Sequence, residues 1–262
     1  MKLSSANINV MVKACRKAAK ILIRDFGEIE NLQVSLKGPG DFVTMSDKKV
    51  EKILIDELLK ARPNYSVLSE EIGKIDNDEA YKWIIDPIDG TANFLHGIPH
   101  FAISIGLEKD GEIICGIIYD PIKDEMFTAE KGNGSYLNNQ RIRVSSRSQL
   151  KDCMIITGGP KNNSNESELS LKEYINFSSK VLIPIRKLGS ASLDMAYVAA
   201  GRCDGFWQRN LNYWDIAAGI ILIKESGGFV TDFNGKKEYI QNKTILATNA
   251  KINNEMIKVL DS

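Results

Sequence analysis

Two carboxylates, Asp86 and Asp89, stand three residues apart in Trp83-Ile84-Ile85-Asp86-Pro87-Ile88-Asp89-Gly90-Thr91-Ala92-Asn93. Held on a stiff turn they repel each other at neutral pH, and a cation between them removes the repulsion. Pro87 fixes its own φ and keeps Asp86 extended. Gly90 lets the backbone come close to a ligand, so its N–H and that of Thr91 can point at an anion. Two more acids, Glu70 in Ser69-Glu70-Glu71 and Asp215 in Trp214-Asp215-Ile216, fall where a strand ends or a helix begins. Those are the places where α/β folds gather their sites. An oxygen-only set suits a hard cation such as Mg²⁺, which keeps waters and shares a substrate phosphate. The lack of clustered His or Cys argues against zinc.

Taken alone, most of these residues have a bland reading. Asp215 is then a helix N-cap, Glu70-Glu71 a solvated pair, and Ser46-Asp47 a cap for the helix that follows. His96 and His100 are four apart, but Pro99 between them spoils the helical face that a metal pair needs. The double-aspartate turn is different, because core packing has no use for it.

The elements that must position these groups follow from periodicity. Ile8, Val12, Cys15, Ala19, Leu22 and Phe26 recur three or four apart, which predicts a long amphipathic helix with Gly27 near its end. A strand over Leu32 to Leu36 runs into a Lys37-Gly38-Pro39-Gly40 loop. Val50, Ile53, Leu54 and Leu58 mark a second helix that Pro63-Asn64 ends. Ser66 to Leu68 forms a short strand with Ser69-Glu70-Glu71 at its carboxyl end, and Trp83 to Ile85 forms a buried one. Strand-like runs at Ala102–Leu107, Ile113–Tyr119, Met126–Ala129, Ser135–Leu137 and Arg141–Val144 make an antiparallel meander, with turns at Asp110-Gly111, Gly132-Asn133-Gly134 and Asn138-Asn139.

From about residue 145 a second unit begins, so the expected lobes are 1–145 and 146–262. It holds a strand Met154–Thr157, a loop at Gly158-Gly159-Pro160, an exposed tip Lys161–Glu166 and a helix to about Lys180. A strand Val181–Ile185, a helix Ser192–Ala200 closed by Gly201, a strand Phe206–Gln208 and a helix Asp215–Ser226 follow. After Gly227-Gly228 come a final strand, a turn and a helix.

Composition narrows the function. Lys plus Arg number 34 and so do Asp plus Glu, which gives no electrostatic case for nucleic acid or an anionic membrane as the main partner. The 262 residues can bury one large core or two smaller ones. Cys15, Cys115, Cys153 and Cys203 lack C-x-x-C spacing and suggest reduced thiols. With no apolar h-region after Met1 and no membrane-length apolar run, the expected location is the cytoplasm.

Two long motifs carry a family resemblance. Trp83-Ile84-Ile85-Asp86-Pro87-Ile88-Asp89-Gly90-Thr91-Ala92-Asn93-Phe94 is the first. The second runs from Trp214 to Gly228 as W-D-I-A-A-G-I-I-L-I-K-E-S-G-G. Between them lies Gly189 to Gly201, and upstream Val43 to Asp47 and Ser69 to Glu71 fall in the expected order. The chain resembles the inositol monophosphatase family of Mg²⁺-dependent, lithium-sensitive phosphomonoesterases over nearly its whole length. The resemblance implies a mixed α/β fold, a layered αβαβα sandwich of the sugar-phosphatase type. It also implies that Glu70, Asp86, the Ile88 carbonyl, Asp89 and Asp215 hold two or three Mg²⁺ ions. Thr91, hydrogen-bonded to Asp47, would help Glu70 and the metal activate a water for in-line attack on phosphorus. Gly90 and Thr91 would cradle the phosphate, and Ser190, Ala191, Gln208 and Asp215 would face the substrate.

One position departs from the pattern. Members usually carry Glu seven residues before the second-motif Asp, where it bonds inositol hydroxyls; here it is Gln208, and the usual Gly two residues on is Asn210. Gln accepts one bond but lacks the charge that orders several hydroxyls. The expected substrate is therefore inositol monophosphate or a similar small polyol or sugar phosphate, and the family resemblance implies a homodimer. Alternatives are a nucleotide 3′-phosphate or sugar bisphosphate phosphatase, or a regulatory RNA- or transcription-associated binding protein.

Overall fold

A computed structural model describes residues 5–28, 34–38, 41–77, 80–159 and 165–261. Its frame is a strand, β5 (Tyr81–Asp89), whose run of apolar residues is buried on both faces. Alternation sends Trp83 and Ile85 to one side and Ile84 to the other. On the first side lie α1 (Ala6–Gly27) and α2 (Met45–Ala61), whose Met11, Leu22 and Leu54 pack on that face. On the second lie α5 (Ala191–Ala199) and α6 (Tyr213–Glu225).

β5 is an inner strand of an eight-stranded sheet in the order β10-β9-β8-β7-β6-β5-β3-β4. The meander is β6 (Ala102–Lys109), β7 (Glu112–Asp120), β8 (Glu125–Glu130), β9 (Gly134–Leu137) and β10 (Gln140–Ile142), all antiparallel. β3 (Ser66–Ser69) pairs parallel to β5, and β4 (Gly73–Ile75) closes that edge. A second sheet has the order β11-β12-β14-β13, from β11 (Ile155–Thr157), β12 (Gly205–Arg209), β13 (Phe229–Thr231) and β14 (Thr244–Thr248). Its far face is covered by α4 (Asn165–Ser178) and α7 (Asn253–Leu260), around Phe177, Trp207 and Met256. The layers therefore run α, β, α, β, α, as expected. β1 (Val34–Gly38) and β2 (Asp41–Thr44) form a separate hairpin.

The central layer explains the second motif. From Ile216 to Ile223 every residue of α6 is buried, because the helix is covered all round by α5 and both sheets. Its seat on the large sheet depends on missing side chains. A Cβ at Gly106 would stand 2.9 Å from the Ala217 methyl, and one at Gly116 would stand 2.5 Å from Ile221 Cγ2.

Several expected boundaries are corrected. Ser46-Asp47 does not cap α2, because β2 runs directly into the helix at Met45. The Ser46 hydroxyl instead donates to buried Asp25 at 2.6 Å. β5 does not stop at Ile85 but continues to Asp89, with its pairing to β6 interrupted between Asp86 and Asp89. Val181–Ile185 is not a strand; Pro184 lacks the N–H a ladder requires, and only an isolated bridge, Ile156 to Arg186, remains. Asn165 and Glu166 belong to α4, while 160–164 lie outside the described residues. Residues 32–33 and 39–40 of the first strand and loop also lie outside them; Lys37 and Gly38 belong to β1. The final strand is two, β13 and β14, and β4 carried no periodic signal.

Candidate active site

Parallel pairing brings the first two acids together. Ser69 stands opposite Ile85 across β3 and β5, so Glu70 and Asp86 follow at the same carboxyl ends. The pairing break after Asp86 turns the backbone through Pro87 and Ile88, and the Ile88 N–H donates back to Asp86 Oδ1 at 3.0 Å. Gly90 then caps a short helix, α3 (Thr91–Leu95), with φ +95°. A Cβ there would meet the His100 carbonyl at 3.1 Å and the Gly189 carbonyl at 3.2 Å, so both conformation and space require glycine.

Three helices begin at this point. α3 starts at Thr91, α5 starts behind the Ser190 N-cap, and α6 starts at Tyr213, so three positive helix ends face one cleft. Asn93 fixes the first two to each other, its amide donating to the His100 and Leu188 carbonyls at 2.8 Å each. Asn212 caps α6, and its N–H donates to Asp215 Oδ2 at 2.7 Å. Asp215 is therefore the third residue of the helix and not its N-cap, which corrects the bland reading.

The cleft has about 210 Å³ of internal space. That is below the roughly 300–1,000 Å³ of drug-sized pockets and suits a small ligand. It is lined by Glu70, Asp86, Ile88, Asp89, Gly90, Thr91, Ser190, Ala191, Gln208 and Asp215, which brings together every expected metal-side and substrate-side residue. Asp47 is buried within electrostatic reach of Asp86. Burial pushes the Asp86 carboxyl well above the usual carboxylate range, and the charges of Glu70, Asp89, Asp215 and Asp47 push it further. Burial also raises Asp89. It is opposed by hydrogen bonds to Oδ2 from Ser190 Oγ at 2.6 Å, Ser192 Oγ at 2.5 Å and the Ser192 N–H at 2.7 Å.

This crowding tests the fit to a metal. All the converging donors are oxygens, and ionising Asp86 among its neighbours is unfavourable until a cation balances them. Among the described residues, no three acids are already drawn into a closed cage. Asp86, Asp89 and Asp215 each direct one oxygen to nearby N–H or O–H donors. The Thr91 hydroxyl donates to the Ile88 carbonyl at 2.8 Å, so its one proton is not given to Asp47 as the resemblance implied.

Two buried acids at or behind the cleft, Asp194 and Glu51, have no motif that marks them in the sequence. Asp194 on α5 lines the cleft, is 1% exposed, and neither of its oxygens has a hydrogen-bond partner. Burial first, and Asp89 second, raise its carboxyl well above the usual range. Glu51 on α2 is fully buried beneath the Glu70 turn. The only sequence signal for either is its spacing: Asp47 and Glu51 are four apart on one helix face, and Asp194 follows the Ser190 cap by four.

On the alcohol side, Gly158 and Gly159 line the cleft beside Gln208. A Cβ at Gly158 would overlap the Gln208 amide outright. Asn210, in place of the usual Gly, has φ +58°, a conformation that Asn tolerates better than most residues.

Comparison with known proteins agrees with this geometry. The model of the inositol monophosphatase family matches residues 5–261. Inositol-1-monophosphatase of Rhizobium meliloti is 50% identical over 98% of this chain and 96% of its own. The Mesorhizobium japonicum protein of that name is 49% identical with the same coverage. The crystal structure of extragenic suppressor protein suhB from Bartonella henselae superposes with a TM-score of 0.95 at 50% identity, covering 98% of this chain and 99% of that one.

Proposed function

This chain belongs to the inositol monophosphatase family, and from that premise we propose that it hydrolyses a small polyol or sugar phosphate with Mg²⁺ at the Glu70–Asp86–Asp89–Asp215 cleft. It is a phosphoric monoester hydrolase. The observation that carries the site assignment is the convergence of Glu70, Asp89, Asp215 and Asp47 on one buried carboxylate, Asp86.

Glu70, Asp86, the Ile88 carbonyl, Asp89 and Asp215 hold two or three Mg²⁺ ions in this reading. When bound, Mg²⁺ acidifies a water and offsets negative charge on the phosphate and the departing alkoxide. The chain's own part is placement. The N–H groups of Gly90 and Thr91, at the start of α3, hold phosphate oxygens. Ser190 and Ser192 donate to Asp89 Oδ2, which favours its carboxylate form against burial and fixes its direction. Thr91 and Asp47 orient the attacking water, and Glu70 receives its proton.

Gln208 and Ala191 face the alcohol. A neutral amide at position 208 orders fewer hydroxyls than a carboxylate would and tolerates a more electron-rich group, so selectivity for inositol is relaxed. The protein acts as a homodimer in the cytoplasm, and lithium inhibits it. Among the described residues no helix is long and apolar enough to cross a membrane. The Bartonella relative's suppressor name leaves a regulatory role as a second activity, but the retained carboxylate set favours hydrolysis. The test is phosphate release from a panel of polyol, sugar and nucleotide monophosphates in Mg²⁺ with NaCl, repeated with LiCl. Mg²⁺-dependent release that falls in lithium is expected; no release from any ester would overturn the proposal.

A further inference from the structure

We infer that Glu51 is a positioning residue for the metal site, setting where Glu70 stands relative to Asp47. It rests on the assignment of Glu70 as a metal ligand. Glu51 lies on α2 one helical turn after Asp47, so both side chains leave the same face of one rigid rod. Asp47 reaches toward Asp86, while Glu51 reaches the turn after β3.

That turn is held by one oxygen. Glu51 Oε1 accepts from the Ser69 hydroxyl, from the Glu71 N–H at 2.9 Å and from the Ile72 N–H at 3.3 Å. The three donors bracket Glu70 on both sides. The turn then closes at Gly73, with φ +83°, and Ser69 pairs with Gly73 across β3 and β4. Glu51 itself does not line the cleft, so it touches neither substrate nor metal.

A plain structural role would be an expensive use of this residue. Glu51 is 0% exposed and its Oε2 is buried without a partner. It also stands behind a cleft already crowded with carboxylates. A neutral acceptor would satisfy the same N–H groups without burying a charge. What the carboxylate adds is stronger, charge-assisted bonds, which restrict the turn and with it the Glu70 side chain. Through α2 the two acids Asp47 and Glu70, whose charges both act on Asp86, then keep a fixed separation, as a preorganised cation site requires.

The experiment is Mg²⁺ titration calorimetry on the full chain in phosphate-free buffer, with unfolding of the metal-free protein measured in parallel. Glu51→Ala is expected to weaken Mg²⁺ binding about tenfold or more. Glu51→Gln, whose amide oxygen can keep all three bonds but without their charge assistance, is expected to fall between the parent and Glu51→Ala. Ser69→Ala removes one donor and is expected to weaken binding about threefold, so it carries the test if Glu51→Ala does not fold. In a Glu70→Gln background, Glu51→Ala or Ser69→Ala should produce no further loss, because the effect passes through Glu70. Lower stability with unchanged Mg²⁺ affinity would overturn the inference while leaving Glu70 a ligand. Unchanged affinity in Glu70→Gln alone would overturn the Glu70 assignment and this inference with it.

Discussion

Replacing Gly116 with Ala tests whether the central helix is seated by the absence of side chains. The new Cβ would lie 2.5 Å from Ile221 Cγ2, 2.9 Å from the Ala218 carbonyl oxygen and 3.0 Å from Ala218 Cα. Ile221 can turn away, but the two Ala218 atoms are backbone. Carbon atoms pack at about 3.5–4.0 Å, so α6 must back off β7 by about 0.5–1 Å. Such overpacking costs about 1–3 kcal/mol, read as a lower urea midpoint with an unchanged slope. Because Asp215 occupies the first turn of the same helix, the shift should also weaken Mg²⁺ binding. Gly27→Ala is the control: nothing lies within 4 Å of its added Cβ, and removing backbone freedom at a helix end should leave stability unchanged or raise it by up to about 1 kcal/mol. A Gly116→Ala loss below about 0.5 kcal/mol would refute the seating argument.

Three further outcomes are expected. Gly158→Ala should expel the Gln208 amide from its seat, raising KM for the preferred ester several-fold while kcat and stability change little; equal kcat and KM would separate Gln208 from specificity. Gln208→Glu should raise the rate on inositol monophosphate relative to other esters in the panel, and an unchanged ratio would remove the argument from the departed Glu. His100 gives an acid-stability signature. Burial and Lys123, opposed by Asp120, push its pKa down from 6.5 to about 4. The unfolded chain then binds more protons between those values, so stability is full above about pH 6.5 and lost as pH falls toward 4. With solvent screening the loss is on the order of 1 kcal/mol, and His100→Gln should flatten that limb of the stability profile.

Legibility of the sequence followed the range of the interactions. Asp86 and Asp89 could be found because a local feature, a stiff acidic turn, has no packing purpose. Glu70 and Asp215 looked ordinary alone and gained meaning when the motifs were set side by side; parallel pairing of β3 and β5 supplies the physical reason in the first case. Helices α1 and α6 could be read because burial imposes a period or an unbroken apolar run. Glu51 and Asp194 could not, since charge at a helical position normally marks a solvated face and their burial depends on partners far along the chain. The same distance effect hid the continuation of β5 through Asp89, where β6 recruits residues that local turn chemistry assigns to a loop. Val181–Ile185 erred the other way: an apolar run was present, but Pro184 and the lack of a partner strand left it unpaired.

If the carboxylates around Asp86 form a metal-dependent phosphate-ester site, Asp89→Asn disables it. Its amide oxygen can still accept from Ser190 and Ser192, so the fold is expected to persist, while the charge facing the cleft is lost. Phosphate release at saturating substrate over a Mg²⁺ titration should fall at least about a hundredfold for the variant, with its unfolding midpoint near that of the parent. Parent-like release by a folded Asp89→Asn protein would mean that these carboxylates are not the metal-dependent site.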